Sequence, residues 1–174
     1  MTHHILFTTE EIRAMVEKLA NDLDSAGKPS YVALTVLKGA AVFSSDLVRA
    51  MKTPTELEYV TASSYLTDFT PGDSVEIQGP PINLTGKHLL IVEDIIDTGR
   101  TLEHLHQRSF QQRPASITTV TLVNKSGRRK IGFEPDHYGF TITDELIYGY
   151  GLDWNQAYRD LPYIAIANHT SGSG

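Results

Sequence analysis

The chain has 174 residues, 40% hydrophobic and 21% charged, with no cysteine, so it fits one globular domain and excludes disulfide frameworks and thiolate metal sites. Its 15 Lys and Arg stand against 21 Asp and Glu, a net charge of −6, and no general positive field is offered to nucleic acid or a membrane surface. The opening MTHHILFTTEEIRAM lacks a basic segment followed by a long apolar run, and no apolar stretch approaches the roughly 20 residues of a membrane span; a cytoplasmic location is the expectation.

Thr8 or Thr9 can cap a first helix, Glu10 and Glu11 suit its first turn, and Ile12, Met15, Val16, Leu19 and Ala20 recur at helical spacing until Gly27. YVALTVL, residues 31–37, reads as a buried strand and AAVFSSDLVRAM as a short helix. ELEYVTASSY is β-branched and alternating, a second strand. LTDFTPGDSVEIQGPPINLTG then runs about twenty residues with one weak strand at SVEIQ; such loops are lids, hairpins or solvent excursions. HLLIVED is a nearly continuous apolar strand, GRTLEHLHQRSFQQ a helix, and SITTVTLVN a fourth strand.

This alternation predicts an α/β fold, a mostly parallel sheet flanked by helices. One domain is expected over residues 1–168, with a core at about 28–125 and a small hood from about 126–168 plus the N-terminal residues. Residues 169–174, SGSG among them, read as a flexible tail.

Three familiar motifs fail. GPPINLTGK has the wrong glycine spacing for a P-loop, and GYGLDW lacks the third glycine of a dinucleotide fingerprint. His104 and His106 lie two apart on a helix and point to different faces, which suits surface residues rather than metal ligands.

LLIVEDIIDTGRTL, residues 89–102, behaves differently. It places Glu93, Asp94 and Asp97 at the exit of a buried strand, where open parallel sheets bind ligands. Thr98, Gly99, Arg100 and Thr101 then lead into a helix whose free N–H groups make a phosphate site. Glu93 and Asp94 would repel a bare phosphate and suit sugar hydroxyls or a divalent cation instead. A phosphorylated ribose satisfies both halves.

VEDIIDTGRTL resembles the phosphoribosyl-pyrophosphate signature of the type I phosphoribosyltransferases. With LKGA, SSY, VNK and YGYGLDWNQAYRDLPY in this order, roughly residues 5–167 resemble the hypoxanthine-guanine phosphoribosyltransferases. The resemblance implies a purine salvage enzyme that transfers the phosphoribosyl group of 5-phosphoribosyl 1-pyrophosphate to N9 of hypoxanthine, guanine or xanthine, with Mg²⁺ as cofactor. It assigns the 5′-phosphate to Thr98, Gly99, Arg100 and Thr101, and the ribose hydroxyls to Glu93 and Asp94. Asp97 becomes the general base at N7. Pyrophosphate goes to Lys38 and Gly39, with a cis peptide before the lysine, and to Arg159, whose bland alternative is a salt bridge to Asp160. Lys125 would donate to purine O6, and the carbonyls of Ile147 and Asp153 would accept from a 2-amino group. Asp153, Glu93 and Asp94 would approach Mg²⁺, several through water or ribose hydroxyls. Ser64 and Tyr65 would begin a lid. Leu146 departs from the pattern, replacing the aromatic residue that stacks on the base; Trp154 and Tyr148 are the candidates to compensate. The partners implied are small-molecule substrates, no nucleic acid and no membrane, in a homo-dimer or homo-tetramer. Two alternatives compete: a nucleotide-sensing regulator on the same fold, and a paralogue preferring xanthine.

Overall fold

A computed structural model gives the fold and describes residues 4–64, 75–79 and 81–167. The chain runs through β1 (His4–Phe7), α1 (Thr9–Ser25), β2 (Tyr31–Leu37), α2 (Ala41–Ala50), β3 (Thr55–Ser64) and β4 (Val75–Gln78). It continues through β5 (His88–Ile96), α3 (Arg100–Phe110), β6 (Ser116–Lys125), a 3-10 turn (Ser126–Arg128), β7 (His137–Ile142), β8 (Ile147–Tyr148) and β9 (Ile164–Ile166). Thr8 caps α1 reciprocally: its hydroxyl accepts from the Glu11 N–H at 3.2 Å, and the Glu11 carboxylate accepts from the Thr8 N–H at 2.8 Å.

Six strands form one sheet in the order β4-β3-β2-β5-β6-β7, parallel except for β4, which pairs antiparallel with β3 at one edge. The alternation of strand side chains builds two cores. Ala33, Leu90 and Val92 face one side with Ile12, Leu19 and Leu23 of α1 and Phe43 and Leu47 of α2. Val32, Leu34, Leu89 and Ile91 face the other, against Leu102 and Leu105 of α3. Both faces of the sheet are thus covered, which explains the continuous apolar runs of β2 and β5.

A second sheet, β1-β9-β8, is antiparallel and joins the N-terminal strand to the last strands of the described chain. Phe7 of β1 stacks on Phe140 of β7 at 3.9 Å between ring centroids, fixing this small sheet to the large one.

After Lys125 the sequence suggests a flap of short pieces, yet β7 extends the parallel sheet beside β6. Its segment HYGFTI reads weakly because one residue is glycine and Tyr138 is exposed. A Cβ on Gly139 would come within 2.6 Å of the Leu122 carbonyl and 2.8 Å of Met15, so close packing demands the residue that weakens the strand signal. Ser64 ends β3, while Tyr65, much of the expected lid and the tail at 169–174 lie outside the described residues. Among the described residues no helix is long and apolar enough to cross a membrane.

Candidate active site

Strand order reverses between β2 and β5. The helix after β2 packs on one face and the helix after β5 on the other, so a crevice opens at the carboxyl ends of these neighbouring strands. Lys38 and Gly39 leave β2 there, Glu93 to Asp97 leave β5, and Lys125 ends β6 alongside.

The loop after β2 carries a cis peptide between Leu37 and Lys38. It turns tightly into α2: the Ala40 N–H donates to the Val36 carbonyl and the Ala41 N–H to the Lys38 carbonyl, both at 3.2 Å. Thr35 and Ser44 share a buried hydroxyl hydrogen bond at 2.5 Å that ties strand to helix beneath the loop. Gly39 is held between two neighbours. A Cβ there would collide with the Asp94 carboxylate, and a Cβ on Gly151 would collide with the Gly39 carbonyl. Gly151 also has φ +96, a conformation that favours glycine.

Arg159 reaches this junction from the C-terminal segment. Its guanidinium donates to the Gly151 carbonyl at 2.7 Å and pairs with Asp153 at 2.6 Å. Its partner is therefore Asp153 rather than the adjacent Asp160, because the chain folds back and the Gly151 N–H donates to the Arg159 carbonyl at 2.9 Å. Lys38, Gly39, Asp94, Asp153 and Arg159 thus belong to one neighbourhood.

Successive residues of β5 alternate between the two faces. Glu93 lies in register with Thr121 of β6 and is buried, while Asp94 faces the Lys38–Gly39 loop. Burial holds the Glu93 carboxyl well above the usual range; the Asp94 charge adds to this and Arg129 opposes it. Burial likewise pushes Asp94 up to about 6, against the N–H groups of Ile95 and Asp94 itself and the Arg159 charge, with Asp153 adding repulsion.

Beyond β5, Gly99 adopts φ +90 as the N-cap of α3, and the Arg100 N–H in the first turn donates to the Thr98 hydroxyl at a long 3.5 Å. A Cβ on Gly99 would stand 3.1 Å from Ile131 and 3.3 Å from Arg129. Thr98 accepts at its carbonyl from the Lys130 N–H at 3.2 Å, and Arg100 and Thr101 open the helix. Asp97 Oδ1 is buried with no hydrogen-bond partner among the described residues, and its Oδ2 lies 3.7 Å from Arg128.

The sequence reading missed Arg129. It donates to the Asp97 carbonyl at 3.1 Å and to Asn124 Oδ1 at 2.5 Å, and pairs with Glu134 at 3.1 Å. One side chain thereby braces the whole acidic turn against the end of β6. The only sequence signal was the basic run SGRRK, which gains meaning once β5 and β6 are known neighbours.

Lys125 is buried, with its ammonium 3.3 Å from Asp144. Ile147 is buried in β8, and Leu146 beside it is exposed. Tyr148 is buried and packs against Tyr158 at 5.4 Å.

The sequence matches the phosphoribosyl transferase domain over residues 5–156. A hypoxanthine phosphoribosyltransferase from Haemophilus influenzae is 37% identical, across 93% of this chain and 94% of the relative. The chain belongs to the phosphoribosyltransferase family, on its hypoxanthine-guanine branch. A Bacillus subtilis hypoxanthine-guanine phosphoribosyltransferase is 36% identical, across 93% of this chain and 91% of the relative. In structure, a Staphylococcus aureus hypoxanthine phosphoribosyltransferase superposes with a TM-score of 0.91 at 32% identity, covering 98% of this chain and 94% of that one. The expected type I phosphoribosyltransferase fold and enzyme class are borne out.

Phosphoribosyltransferases of this branch are generally Mg²⁺-dependent. No cluster of three or more His, Cys, Asp or Glu forms a metal cage among the described residues. Asp94, beside Gly39, and Asp153, paired with Arg159, nevertheless fit Mg²⁺, which binds through one or two carboxylates, water and substrate phosphates rather than through an all-protein cage.

Proposed function

We propose that this phosphoribosyltransferase joins N9 of a 6-oxopurine, hypoxanthine, guanine or xanthine, to C1′ of 5-phosphoribosyl 1-pyrophosphate. The products are the nucleoside monophosphate (IMP or GMP from the first two bases) and pyrophosphate. The observation that carries this reading is Asp97: a buried carboxylate oxygen without a hydrogen-bond partner among the described residues, between the N-terminus of α3 and the end of β6 at Lys125.

In this scheme Thr98, Gly99, Arg100 and Thr101 bind the 5′-phosphate, their N–H groups supplying donors without needing net positive charge. Glu93 and Asp94 accept from the ribose hydroxyls. Lys38, Gly39 and Arg159 receive pyrophosphate; Arg159, paired with Asp153, must release or share that carboxylate as the anion arrives. Lys125 donates to O6, and the Ile147 and Asp153 carbonyls accept from a guanine 2-amino group. The N9–C1′ bond forms as the C1′–O bond to pyrophosphate breaks, and Asp97 takes the proton from N7. Asp153, Glu93 and Asp94 would hold Mg²⁺ through water or ribose hydroxyls. When bound, the ion neutralises charge developing on the diphosphate. General-base help of about 10²–10⁴-fold leaves most of the acceleration to positioning and charge stabilisation.

The small-molecule substrates, a cytoplasmic site of action and a homo-dimer or homo-tetramer complete the proposal. Pyrophosphate release, measured with hypoxanthine, guanine, xanthine, adenine and no base, tests it. Release that requires a 6-oxopurine supports the assignment. Release with xanthine alone would make the protein a xanthine enzyme, and no release with any base would favour a nucleotide sensor.

A further inference from the structure

The turn after β6 carries charges that sugar and phosphate recognition leave unused. Arg128 lies 3.7 Å from Asp97 Oδ2 through Nη1, and 3.7 Å from Asp144 Oδ1 through Nε. The same Asp144 oxygen lies 3.3 Å from the Lys125 ammonium. These side chains form a line, Asp97–Arg128–Asp144–Lys125. Its ends are the groups assigned to N7 and O6, adjacent atoms on one edge of a purine.

The segment bearing Asp144 is built onto the Lys125 turn. The Gly127 N–H donates to the Thr143 carbonyl at 3.0 Å, and the Ser126 hydroxyl to the Ile142 carbonyl at 3.3 Å. A Cβ on Gly127 would press on that Thr143 carbonyl, so the glycine permits the approach. Glu145 then accepts from the N–H groups of Thr143 and Asp144 at 2.8 and 3.0 Å, which fixes the backbone under Asp144.

Exposure decides what the line is for. The side chains of Arg128 and Asp144 are 53% and 66% exposed, and a pair of that kind contributes little to stability. Lys125 is different, with its side chain only 5% exposed. Asp144 is the one carboxylate in ion-pair contact with this buried ammonium among the described residues. The Glu145 carboxylate also feels the Lys125 charge but is held by the Thr143 and Asp144 N–H groups, so truncating Asp144 removes the contact that holds the ammonium in place.

We propose that Asp144 is a specificity-determining positioning residue: it holds the Lys125 ammonium toward the O6 position, while Arg128, bridging Asp144 to Asp97, sets the spacing between the O6 donor and the N7 acceptor. This rests on the 6-oxopurine reading above. A donor held in place rewards a 6-oxo group and opposes a 6-amino group, so the carboxylate behind the lysine governs discrimination without touching the base.

The test compares Asp144→Ala, Asp144→Glu and Arg128→Ala with the wild type, measuring the KM of hypoxanthine and of 5-phosphoribosyl 1-pyrophosphate separately. Asp144→Ala is expected to raise the hypoxanthine KM about 10-fold or more while the sugar substrate's KM stays within about twofold. Asp144→Glu should recover most of the loss, and Arg128→Ala should give a smaller rise of the same kind. In a Lys125→Ala background, where turnover is lost, calorimetric affinity for IMP replaces KM as the readout, and Asp144→Ala should leave it unchanged, because the residue acts through the lysine. An unchanged hypoxanthine KM, equal rises in both KM values, or a full additional effect without Lys125 would each overturn the proposal. A wild-type enzyme inactive with every 6-oxopurine would overturn the underlying reading as well; an active wild type with an unaffected Asp144→Ala variant would remove this inference alone.

Discussion

The Asp94 carboxylate occupies the space that any side chain on residue 39 would need. Gly39 is therefore a requirement of the site rather than a convenience of the turn, since its carbonyl also leaves no room for a Cβ on Gly151. Gly39→Ala should displace Asp94 or the loop by about an ångström, and kcat/KM should fall about 100-fold. Steady-state kinetics alongside circular dichroism checks this; a folded variant with wild-type turnover would contradict it.

Asp97→Asn keeps the size of the side chain and removes its basicity. Turnover at saturating substrates should drop about 10²–10⁴-fold. Calorimetric affinity for 5-phosphoribosyl 1-pyrophosphate with Mg²⁺ should persist, because the turn at Gly99 and the Arg129 brace on the Asp97 carbonyl are untouched.

The sign of the Asp94 effect on stability can be worked out. Burial raises its folded pKa to about 6 from the ordinary 3.8, so between these values the folded state binds more protons than the unfolded one. This contribution to stability therefore falls as pH rises from about 4 to about 6, and the cost is complete above that. Asp94→Asn should raise Tm at pH 8 relative to wild type and have little effect at pH 4, as scanning calorimetry can measure. Affinity for the Mg²⁺ complex of the sugar substrate should move the other way, increasing through pH 6 as the acceptor ionises. The Asn variant should lose that step.

Lys125→Ala should abolish useful turnover of hypoxanthine and guanine without conferring use of adenine. Rejection of the analogue that leaves a buried polar group unpaired reaches about 10⁴-fold in sites of this kind. Initial rates with each base, at fixed sugar substrate and Mg²⁺, provide the measurement.

Local patterns made much of this fold legible. Apolar runs marked β2 and β5 because both sheet faces are covered, and Thr8 or Thr9 ahead of Glu10 and Glu11 announced the start of α1, where the structure selects Thr8 as the cap. Gly99 could be read as a turn because its conformation is a property of a single residue. Residues whose meaning depends on distant neighbours were harder. Arg129 is 32 positions from Asp97, and nothing in SGRRK says that β6 lies beside β5. Arg159 stands next to Asp160 in sequence but turns to Asp153 because the segment between folds back on Gly151. The edge strand β7 was obscured by a glycine whose value lies in the contact it allows with Met15 and Leu122.

The pairing of β1 with β9, and of β9 with β8, brings the first and last described strands together on one small sheet. Ile147, which the proposal assigns to the base, sits in β8, whereas the turn proposed to bind the 5′-phosphate follows β5 of the large sheet. In the proposed scheme, base contacts therefore come from both sheets, Lys125 from the end of β6 and Ile147 from β8. The strand that carries Ile147 is paired only through β9, which in turn pairs with β1. A chain lacking β9 would leave β8, and with it Ile147, without its strand partner.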